Sequence, residues 1–321
     1  MKTLKEQREA IAALLAKFDR YIAESFLESV KRIQDGITLS EIEAALRSNN
    51  PLLAQELVTQ SLVRAAYIPF GESLQDAMIA GGQHAKTIAS AHGVEFAFQV
   101  GDTNAARFLS NYLAEKIQAI TDETKRTIGQ IAVNGVNAGI NPRDTARTIR
   151  ASLGLTSHQE GIVANYRTYL MEGDRRALEN RLRDARYDPT VARSIKEGTP
   201  LSKERIDQMV DRYRSRLILR RSETIARTES MTLIHGGQDA YWRQLVASGD
   251  VSADQIKRKW ITTNDSRLRD AHAAIPSLNK DGRGYDEPFL SPLGLIRYPC
   301  DPAATPANRI NCRCSLFVRI D

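Results

Sequence analysis

The sequence predicts a mainly α-helical protein, with long amphipathic helices forming an extended N-terminal body and a small α+β domain at the C-terminal end. Apolar residues recur at three- and four-residue steps through most of the chain up to Ala247, which is the helical period. Aromatic residues are 6% of the 321 residues, so the core must be mostly aliphatic, which suits helix packing. After Gly249 the pattern changes to strand-like alternation around a long loop.

The N-terminal body is expected to be a series of helices joined by short connections. Ser40 and Glu43 have the spacing of a capping box, Asn49-Asn50-Pro51 ends a helix, and residues 67–71 are predicted to form a loop. Apolar and polar side chains alternate over residues 94–100, which indicates an extended segment packed across helices. The predicted helices span residues 4–36, 38–46, 52–66, 72–91, 104–138 and 144–153.

The middle of the chain is rich in arginine and should also be helical. Residues 157–197 have the pattern of short helices, with a break at Tyr187-Asp188-Pro189. A long helix is predicted to begin at Ser202 and to continue past Gly236-Gly237, where the two glycines favour a kink.

Positive charge is concentrated in this middle part. Between Arg167 and Arg227 there are 16 basic and 10 acidic residues, an excess equal to the net charge of +6 of the whole chain. One interpretation is a solvated helix face whose charges are partly paired, and the other is a surface for nucleic acid or an acidic partner. The candidate nucleic-acid-binding residues are Arg212, Arg214, Arg216, Arg220 and Arg221.

The C-terminal part combines strands with short helices. Strands are predicted over residues 257–263 and 313–320, and a short helix over 266–275. The loop over 279–306 is long enough to need a partner or a metal to hold it. The sequence therefore divides into a helical region over 1–156, an arginine-rich helical segment over 157–249 and an α+β domain over 250–321.

Several function classes lack their sequence signatures. The chain has no phosphate-binding glycine loop, no G-x-S-x-G motif and no H-E-x-x-H motif, so no enzyme class is predicted. It also has no apolar leader segment and no apolar run of about 18 residues, which predicts a soluble protein made in a reducing cytoplasm. In that compartment a disulfide explains the cysteines less well than free thiols or a metal.

All three cysteines lie near the C-terminal end, together with one of the five histidines. These residues are His272, Cys300, Cys312 and Cys314. Cysteine and histidine are preferred zinc ligands, and four of them make a closed structural site. The C-x-C spacing is tighter than the usual C-x-x-C, so the alternative is that the thiols pack as compact apolar groups. No other cofactor is predicted.

Arg227 and Glu229 lie in the predicted long helix on opposite faces. If the helix is covered on both sides, one of these side chains must point inward. Arg267, Arg269 and Asp265 are then the expected partners in a network of salt bridges. A catalytic role for Glu229 is the less favoured alternative.

The motifs of the last third, taken in order, resemble the phage head-morphogenesis family typified by the Mu F minor head protein. The clear resemblance covers about Arg181 to Val318. The matching residues are Arg221, Thr224-Ile225-Ala226-Arg227-Thr228-Glu229, Trp260, Asp265, Arg267, Arg269, His272, Pro299, Asp301-Pro302 and Asn311-Cys312-Arg313-Cys314.

The resemblance implies a minor protein of the phage head, made in the host cytoplasm and located in the virion, inside the head near the portal. Its implied partners are the portal protein, major capsid or scaffold proteins and double-stranded DNA, with a role in head assembly and in DNA packaging or ejection. No catalytic residue follows from it, and Asn311 joins the expected structural network. Relatives that look like zinc binders carry ligands where this chain has Arg269 and Arg309, which weakens the zinc interpretation.

Two other functions stay open at this point. One is a zinc-dependent hydrolase or nuclease built on the cysteine cluster, or on a pair formed by His272 and Glu229. The other is a cytoplasmic nucleic-acid-binding protein unconnected with virions.

Overall fold

The structure, a computed structural model, describes residues 3–48, 50–263 and 265–321. It is 68% helical, with a small three-stranded antiparallel sheet near the C-terminus, so the predicted mainly α fold is confirmed. The predicted helix end at Asn49 lies outside the described residues. Among the described residues, none of the helices is both long enough and apolar enough to cross a bilayer.

The first helices follow the sequence pattern, with three corrections. The capping box is formed by Thr38 and Glu41 rather than by Ser40 and Glu43. The helix predicted over 52–66 is interrupted, and a new helix begins after the N-cap residue Thr59. The loop predicted over 67–71 is wrong, because Pro69 is tolerated in the first turn of a helix. The bounds are α1 (Leu4–Gly36), α2 (Leu39–Arg47), α3 (Leu53–Glu56), α4 (Gln60–Ala66) and α5 (Ile68–Ser90).

The central helices include the two longest. The Asp102 side chain caps the helix that begins at Thr103 by accepting hydrogen bonds from the N–H groups of Asn104 and Ala105. Residues 94–100 form no regular strand, in agreement with the predicted extended segment. The predicted break at residues 187–189 coincides with a junction between two short helices, because a 3₁₀ turn ends at Tyr187 and a new helix begins at Asp188 with Pro189 in its first turn. The bounds are α6 (Thr103–Asn137), α7 (Pro142–Ser152), α8 (Ser157–Glu172), α9 (Asp188–Glu197) and α10 (Lys203–Ser248), with 3₁₀ turns at Arg175–Leu178 and Ala185–Tyr187.

The C-terminal part contains the sheet, in the order β2-β1-β3, with both pairings antiparallel. The helix predicted over 266–275 is replaced by two short helices that begin later. The bounds are β1 (Ile256–Ile261), α11 (Asp270–Ala273), α12 (Ile275–Leu278), β2 (Arg283–Gly284), α13 (Pro306–Arg309) and β3 (Ser315–Ile320), preceded by a 3₁₀ turn at Ala253–Gln255.

The chain forms two compact units, each assembled from separate stretches. Unit 1 takes in the chain up to Ser25, Phe70–Leu113 and Glu223–Asp321, and unit 2 takes in Phe26–Pro69 and Ala114–Ser222. The division of the chain into three consecutive regions stays a prediction. These regions are residues 1–156, 157–249 and 250–321.

Unit 1 is built around the C-terminal half of α10. Its core joins Tyr241, Trp242 and Leu245 of α10 to Ile256 and Trp260 of β1. Because burial on β1 alternates, its inward face packs on the helix while the other face is more exposed.

Glycines allow α5 and α10 to approach closely inside unit 1. A Cβ atom on Gly237 would lie 2.0 Å from the Met78 carbonyl oxygen, and one on Gly81 would lie 2.0 Å from the Ile234 carbonyl oxygen. α10 continues through Gly236 and Gly237. The absence of a side chain on Gly237 is what allows the close contact with α5.

The outer edge of the sheet in unit 1 is covered by a side chain of α1. The Gln7 amide nitrogen donates to the Val318 carbonyl oxygen at 2.7 Å, and the Val318 N–H donates to the Gln7 side-chain oxygen at 3.0 Å. Gln7 is buried, and its amide satisfies the two groups of β3 that a further strand would use.

Unit 2 is entirely helical in the part that the structure describes. Tyr166 of α8 and Tyr213 of α10 lie at the centre of one of its cores, with ring centroids 4.4 Å apart. Leu155, Val163 and Val210 surround them. Aliphatic contacts therefore dominate this core, as the composition predicted.

Candidate functional site

One turn of α10 fixes the backbone on both sides of the cysteine cluster. Among the described residues, two non-glycine residues have a left-handed backbone, Cys300 with φ of 62° and Asn311 with φ of 58°. The Thr232 hydroxyl donates to the Cys300 carbonyl oxygen at 2.8 Å, and the Asn311 N–H donates to the Thr228 hydroxyl at 3.1 Å. Because Thr228 and Thr232 are four residues apart, they share a helix face and hold both turns.

His272 is held in one orientation by Asn308. Its Nε2 atom lies 3.0 Å from the Asn308 main-chain oxygen and 2.9 Å from the Asn308 side-chain oxygen. Because both neighbours are acceptors, Nε2 carries a proton and donates it, so Nδ1 is the ring nitrogen left to face the sulfurs. The Trp260 indole packs edge-on against the imidazole, with centroids 5.8 Å apart.

The other ring nitrogen of His272, Nδ1, faces two cysteine sulfurs. Nδ1 lies 3.4 Å from Sγ of Cys312 and 3.6 Å from Sγ of Cys314. The Cys314 N–H points at Sγ of Cys312 at 3.4 Å. All three residues are buried, and their ligand atoms lie within 4.8 Å of one another. The structure therefore brings together three of the four predicted metal ligands.

Cys300 lies beside this trio rather than inside it. Its thiol donates to the Arg309 carbonyl oxygen at 3.1 Å and is in contact with the thiol of Cys312. Cys300 is fully buried, as are the other two cysteines, and all three are free thiols.

The thiols and the imidazole shift each other's pKa values. Contacts with Cys300, Cys314 and His272 lower the pKa of Cys312 far below its usual value. Burial and the neighbouring Cys312 raise the pKa of Cys300, and Cys312 together with burial raises that of Cys314. Burial alone would lower the pKa of His272, but the contact with Cys312 raises it overall. Cys312 is therefore the thiol that ionises first.

The donor set fits a zinc ion in chemistry and in spacing. With Zn–S of about 2.3 Å and Zn–N of about 2.0 Å, the N···S edge of a tetrahedral site is about 3.5 Å. The observed distances of 3.4 Å and 3.6 Å match that edge. The second imidazole nitrogen also has the carbonyl partner that is usual for a metal-binding histidine.

The segment around Asp265 is tied to the Cys312-Arg313-Cys314 motif. The Asp265 carboxylate accepts a hydrogen bond from the Arg267 N–H at 2.9 Å and forms a salt bridge with Arg313 at 3.0 Å. These groups, the Arg267 N–H first, lower the pKa of Asp265. The guanidinium of Arg269 donates to the Ile310 carbonyl oxygen. Three residue pairs, Asp265 with Arg313, Arg269 with Ile310 and His272 with Asn308, thus join residues 265–272 to residues 308–313.

Arg227 and Glu229 have partners that the sequence did not indicate. Arg227 pairs with Asp19 of α1 at 2.8 Å, so Asp265 as its predicted partner was wrong. Glu229 is buried and accepts a hydrogen bond from the Tyr112 hydroxyl of α6. Burial, followed by the Glu229 carboxylate, raises the pKa of Tyr112 well above its usual value. The contact of Glu229 lies in the interior of unit 1, whereas the pair of Arg227 with Asp19 is partly exposed.

The chain matches a known protein family. A family profile described as "Phage Mu protein F like protein" matches residues 126–317. The chain belongs to this Phage Mu protein F-like family. No curated protein and no solved structure matches the chain significantly. Membership indicates a phage head-morphogenesis protein located in the virion. The match begins well before Arg181, so the family region includes the whole arginine-rich segment over 157–249.

Sequence reasoning missed the residue that holds the long loop of this Phage Mu protein F-like chain. Arg258 of β1 is buried, and its guanidinium donates to the carbonyl oxygens of Gly284, Glu287 and Arg297. It also lies over the Phe289 ring. The available signal was the strand period, since Arg258 shares the inward face of β1 with Ile256 and Trp260. A buried side chain therefore holds the part of the loop between Gly284 and Arg297.

The arginine-rich segment is largely paired within unit 2. Arg214 is buried and pairs with Asp211 at 2.8 Å, and Arg221 donates to the Gly154 carbonyl oxygen at 2.7 Å. Arg216 is partly buried beside Asp184. The assignment of Arg214 and Arg221 to a DNA-contacting surface is corrected, because their guanidinium groups are used inside the unit. Arg212 and Arg220 are exposed.

The tip of the hairpin between Phe289 and Ile296 exposes an unusual run of apolar residues. Phe289 and Ile296 are buried and hydrogen-bond each other. Between them, Leu290, Leu293 and Leu295 are 44%, 37% and 59% exposed. We call these three leucines, with Pro292, the apolar tip. Contiguous exposed apolar residues of this kind mark contact sites.

A cavity of about 500 Å³ in unit 1 is separate from the cysteine cluster. Asp239 lies in its wall and binds two guanidinium groups, that of Arg297 at 2.8 Å and that of Arg243 at 2.9 Å. Burial raises the pKa of Asp239. Neither His272 nor any of the cysteines lines this cavity.

Proposed function

We propose that this chain is a minor head protein that lies beside the portal, inside the head, and acts by contact during procapsid assembly and DNA packaging or ejection. Family membership supports the head-morphogenesis role. The observation that carries the contact with the portal is the apolar tip. Its leucines are held on a hairpin whose base is buried, so they are presented at little cost in conformational entropy.

Co-purification with the portal oligomer tests this role. The full chain is mixed with the portal protein of the same phage and analysed by size exclusion, alone and as the L293Q/L295Q variant. The variant should lose most of the association, because two of the three exposed leucines of the apolar tip are replaced by polar side chains.

The matched control is L219Q, which removes an exposed leucine from α10 in unit 2. Glutamine is tolerated on a helix surface, so this variant should fold and bind the portal normally. No association of the wild-type chain with portal, scaffold or major capsid protein would contradict the proposed function. Equal association of the tip variant would remove the tip from it.

Double-stranded DNA is the second proposed partner, bound without sequence preference. Support comes from exposed arginines of unit 2 that have no acidic partner in the part of the chain that the structure describes. Such residues can neutralise phosphates and make binding sensitive to salt. They include Arg175, Arg181, Arg193 and Arg212.

The test measures duplex binding at several salt concentrations for the wild type and for a variant with these four arginines changed to alanine. The slope of log K against log salt should fall by about 0.9 for each lost phosphate contact. An unchanged slope would rule out this surface.

The control variant carries the same change in charge elsewhere. Its four arginines each pair with a glutamate three or four residues away on the same helix, and its slope should equal that of the wild type. These residues are Arg20, Arg32, Arg47 and Arg126.

We do not propose catalysis at the cysteine cluster. His272, Cys312 and Cys314 are 1%, 2% and 1% exposed, which leaves no room for a substrate. Glu229 is likewise buried and hydrogen-bonded. Hydrolase or nuclease activity lost on changing His272, in a variant that still folds, would contradict this view.

A further inference from the structure

We propose that His272, Cys300, Cys312 and Cys314 bind one zinc ion in a closed structural site that ties β3 to α11 and to the turn at Cys300. The inference is independent of the head-morphogenesis role, because it concerns what stabilises unit 1. Of the two alternatives that the sequence left open, a metal site and packed thiols, the proposal takes the metal site.

The first argument is the preformed geometry of three ligands. Nδ1 of His272 lies 3.4 Å and 3.6 Å from the sulfurs of Cys312 and Cys314, which matches the two N···S edges of a zinc tetrahedron. The ligands come from two separate parts of the chain, so a metal at this point would cross-link them.

The second argument is the support around the ligands. Two oxygens of Asn308 accept hydrogen bonds from Nε2–H and so turn Nδ1 towards the sulfurs. The Cys314 N–H donates to Sγ of Cys312, a contact that stabilises a thiolate. Packed neutral thiols do not require either arrangement, whereas a metal site uses both.

The third argument identifies the fourth ligand. A buried structural site takes four protein ligands, and water has no access here. Cys300 is the remaining thiol, in contact with Cys312 and held by Thr232 through its left-handed backbone. Its thiol now donates to the Arg309 carbonyl oxygen, so it must turn away from that oxygen to bind.

The charges of the site agree with three thiolates. Each thiol that binds gives its proton to solvent, and Zn²⁺ with three thiolates and one neutral imidazole carries a charge of about −1. The guanidinium of Arg269 is close enough to His272 to influence its charge.

The experiment measures metal in the full-length protein purified without chelator. We expect about one zinc per chain, three thiols that react on denaturation, and a melting temperature that falls on chelation and recovers with zinc alone. No retained zinc together with no saturable uptake of Zn²⁺ or Co²⁺ would overturn the proposal. A disulfide between any two of the cysteines would also overturn it.

Cobalt substitution tests the ligand set. The sulfur-to-cobalt charge-transfer band should fall by about one third in C300A, because one of three thiolates is lost. An unchanged band would remove Cys300 from the site. C312A and C314A should abolish stoichiometric binding, and full retention of metal by either would overturn the proposal.

Two further variants guard against loss of folding. N308A keeps every ligand and should weaken zinc affinity about 10- to 100-fold, because the imidazole loses its orienting partner. Affinity equal to that of the wild type would contradict the role of Asn308. H158A, which removes an exposed histidine of α8, should bind zinc as the wild type does.

Discussion

Arginine has different tasks in the two units. In unit 1, Arg258 is buried and binds main-chain carbonyl oxygens, so it fixes the path of a loop. In unit 2, apart from inward arginines such as Arg221, many arginines pair with aspartates near the surface, as Arg167 and Arg183 do. The first kind of contact determines conformation, and the second mostly cancels charge. Counting arginines along a sequence therefore overestimates the positive surface available to DNA.

The largest effect is expected for Arg258→Ala in unit 1. The change leaves carbonyl groups of the long loop without donors and should lower the free energy of unfolding by about 4 kcal/mol. Denaturant titration measures the loss. The control is Arg319→Ala on the neighbouring strand, whose exposed pair with Asp321 should be worth less than about 1 kcal/mol. Similar losses in both variants would contradict the comparison.

A second pair of changes separates the units by packing. Gly237→Ala would place a methyl group against the Met78 carbonyl, so unit 1 should lose about 3 kcal/mol as the helices move apart. Gly161→Ala lies inside α8 of unit 2 with open space around it, and should gain about 1 kcal/mol. Calorimetry of the two variants gives the signs. A stable Gly237→Ala protein would show that the close approach is not required.

Acid should destabilise unit 1 through His235, whose pKa burial lowers to about 4 from a model-compound value of 6.5. Between these values the unfolded chain binds a proton and the folded chain does not, so stability falls as pH drops from 6.5 towards 4. The loss attributable to this residue approaches about 3 kcal/mol. His235→Gln should show a smaller decline over that range in urea titrations. His158→Gln, at an exposed position, should retain the wild-type decline.

The smallest effect is expected for a surface pair of unit 2. Arg167 and Asp207 are 2.6 Å apart but 36% and 41% exposed. A double-mutant cycle with alanine should give a coupling of about 0.5 kcal/mol that decreases as salt is added. A coupling of several kcal/mol would mean that the paired arginines of unit 2 determine its fold as Arg258 does in unit 1.

The sequence predicted what depends on local periodicity. α1 and α10 were recognisable because their apolar residues follow the helical period, and the pairing of β1 with β3 agrees with the predicted strands. The start of α5 was missed because proline, which ends helices in their interior, is accepted in the first turn.

Long-range partners could not be predicted in the same way. Nothing near Arg227 in the sequence points to Asp19, at the other end of the chain. The cysteine cluster was found because its residue types are rare and chemically matched. Arg258 was overlooked because lysines flank it, so its inward position looked like part of a basic strand.

The contact between Gln7 and Val318 has a consequence for association between copies of the chain. An open edge strand is a template to which another strand can add, and β3 is such an edge strand. The side-chain amide of α1 imitates one residue of a further strand and blocks that growth. We therefore expect the first turn of α1 to hinder strand addition at Val318.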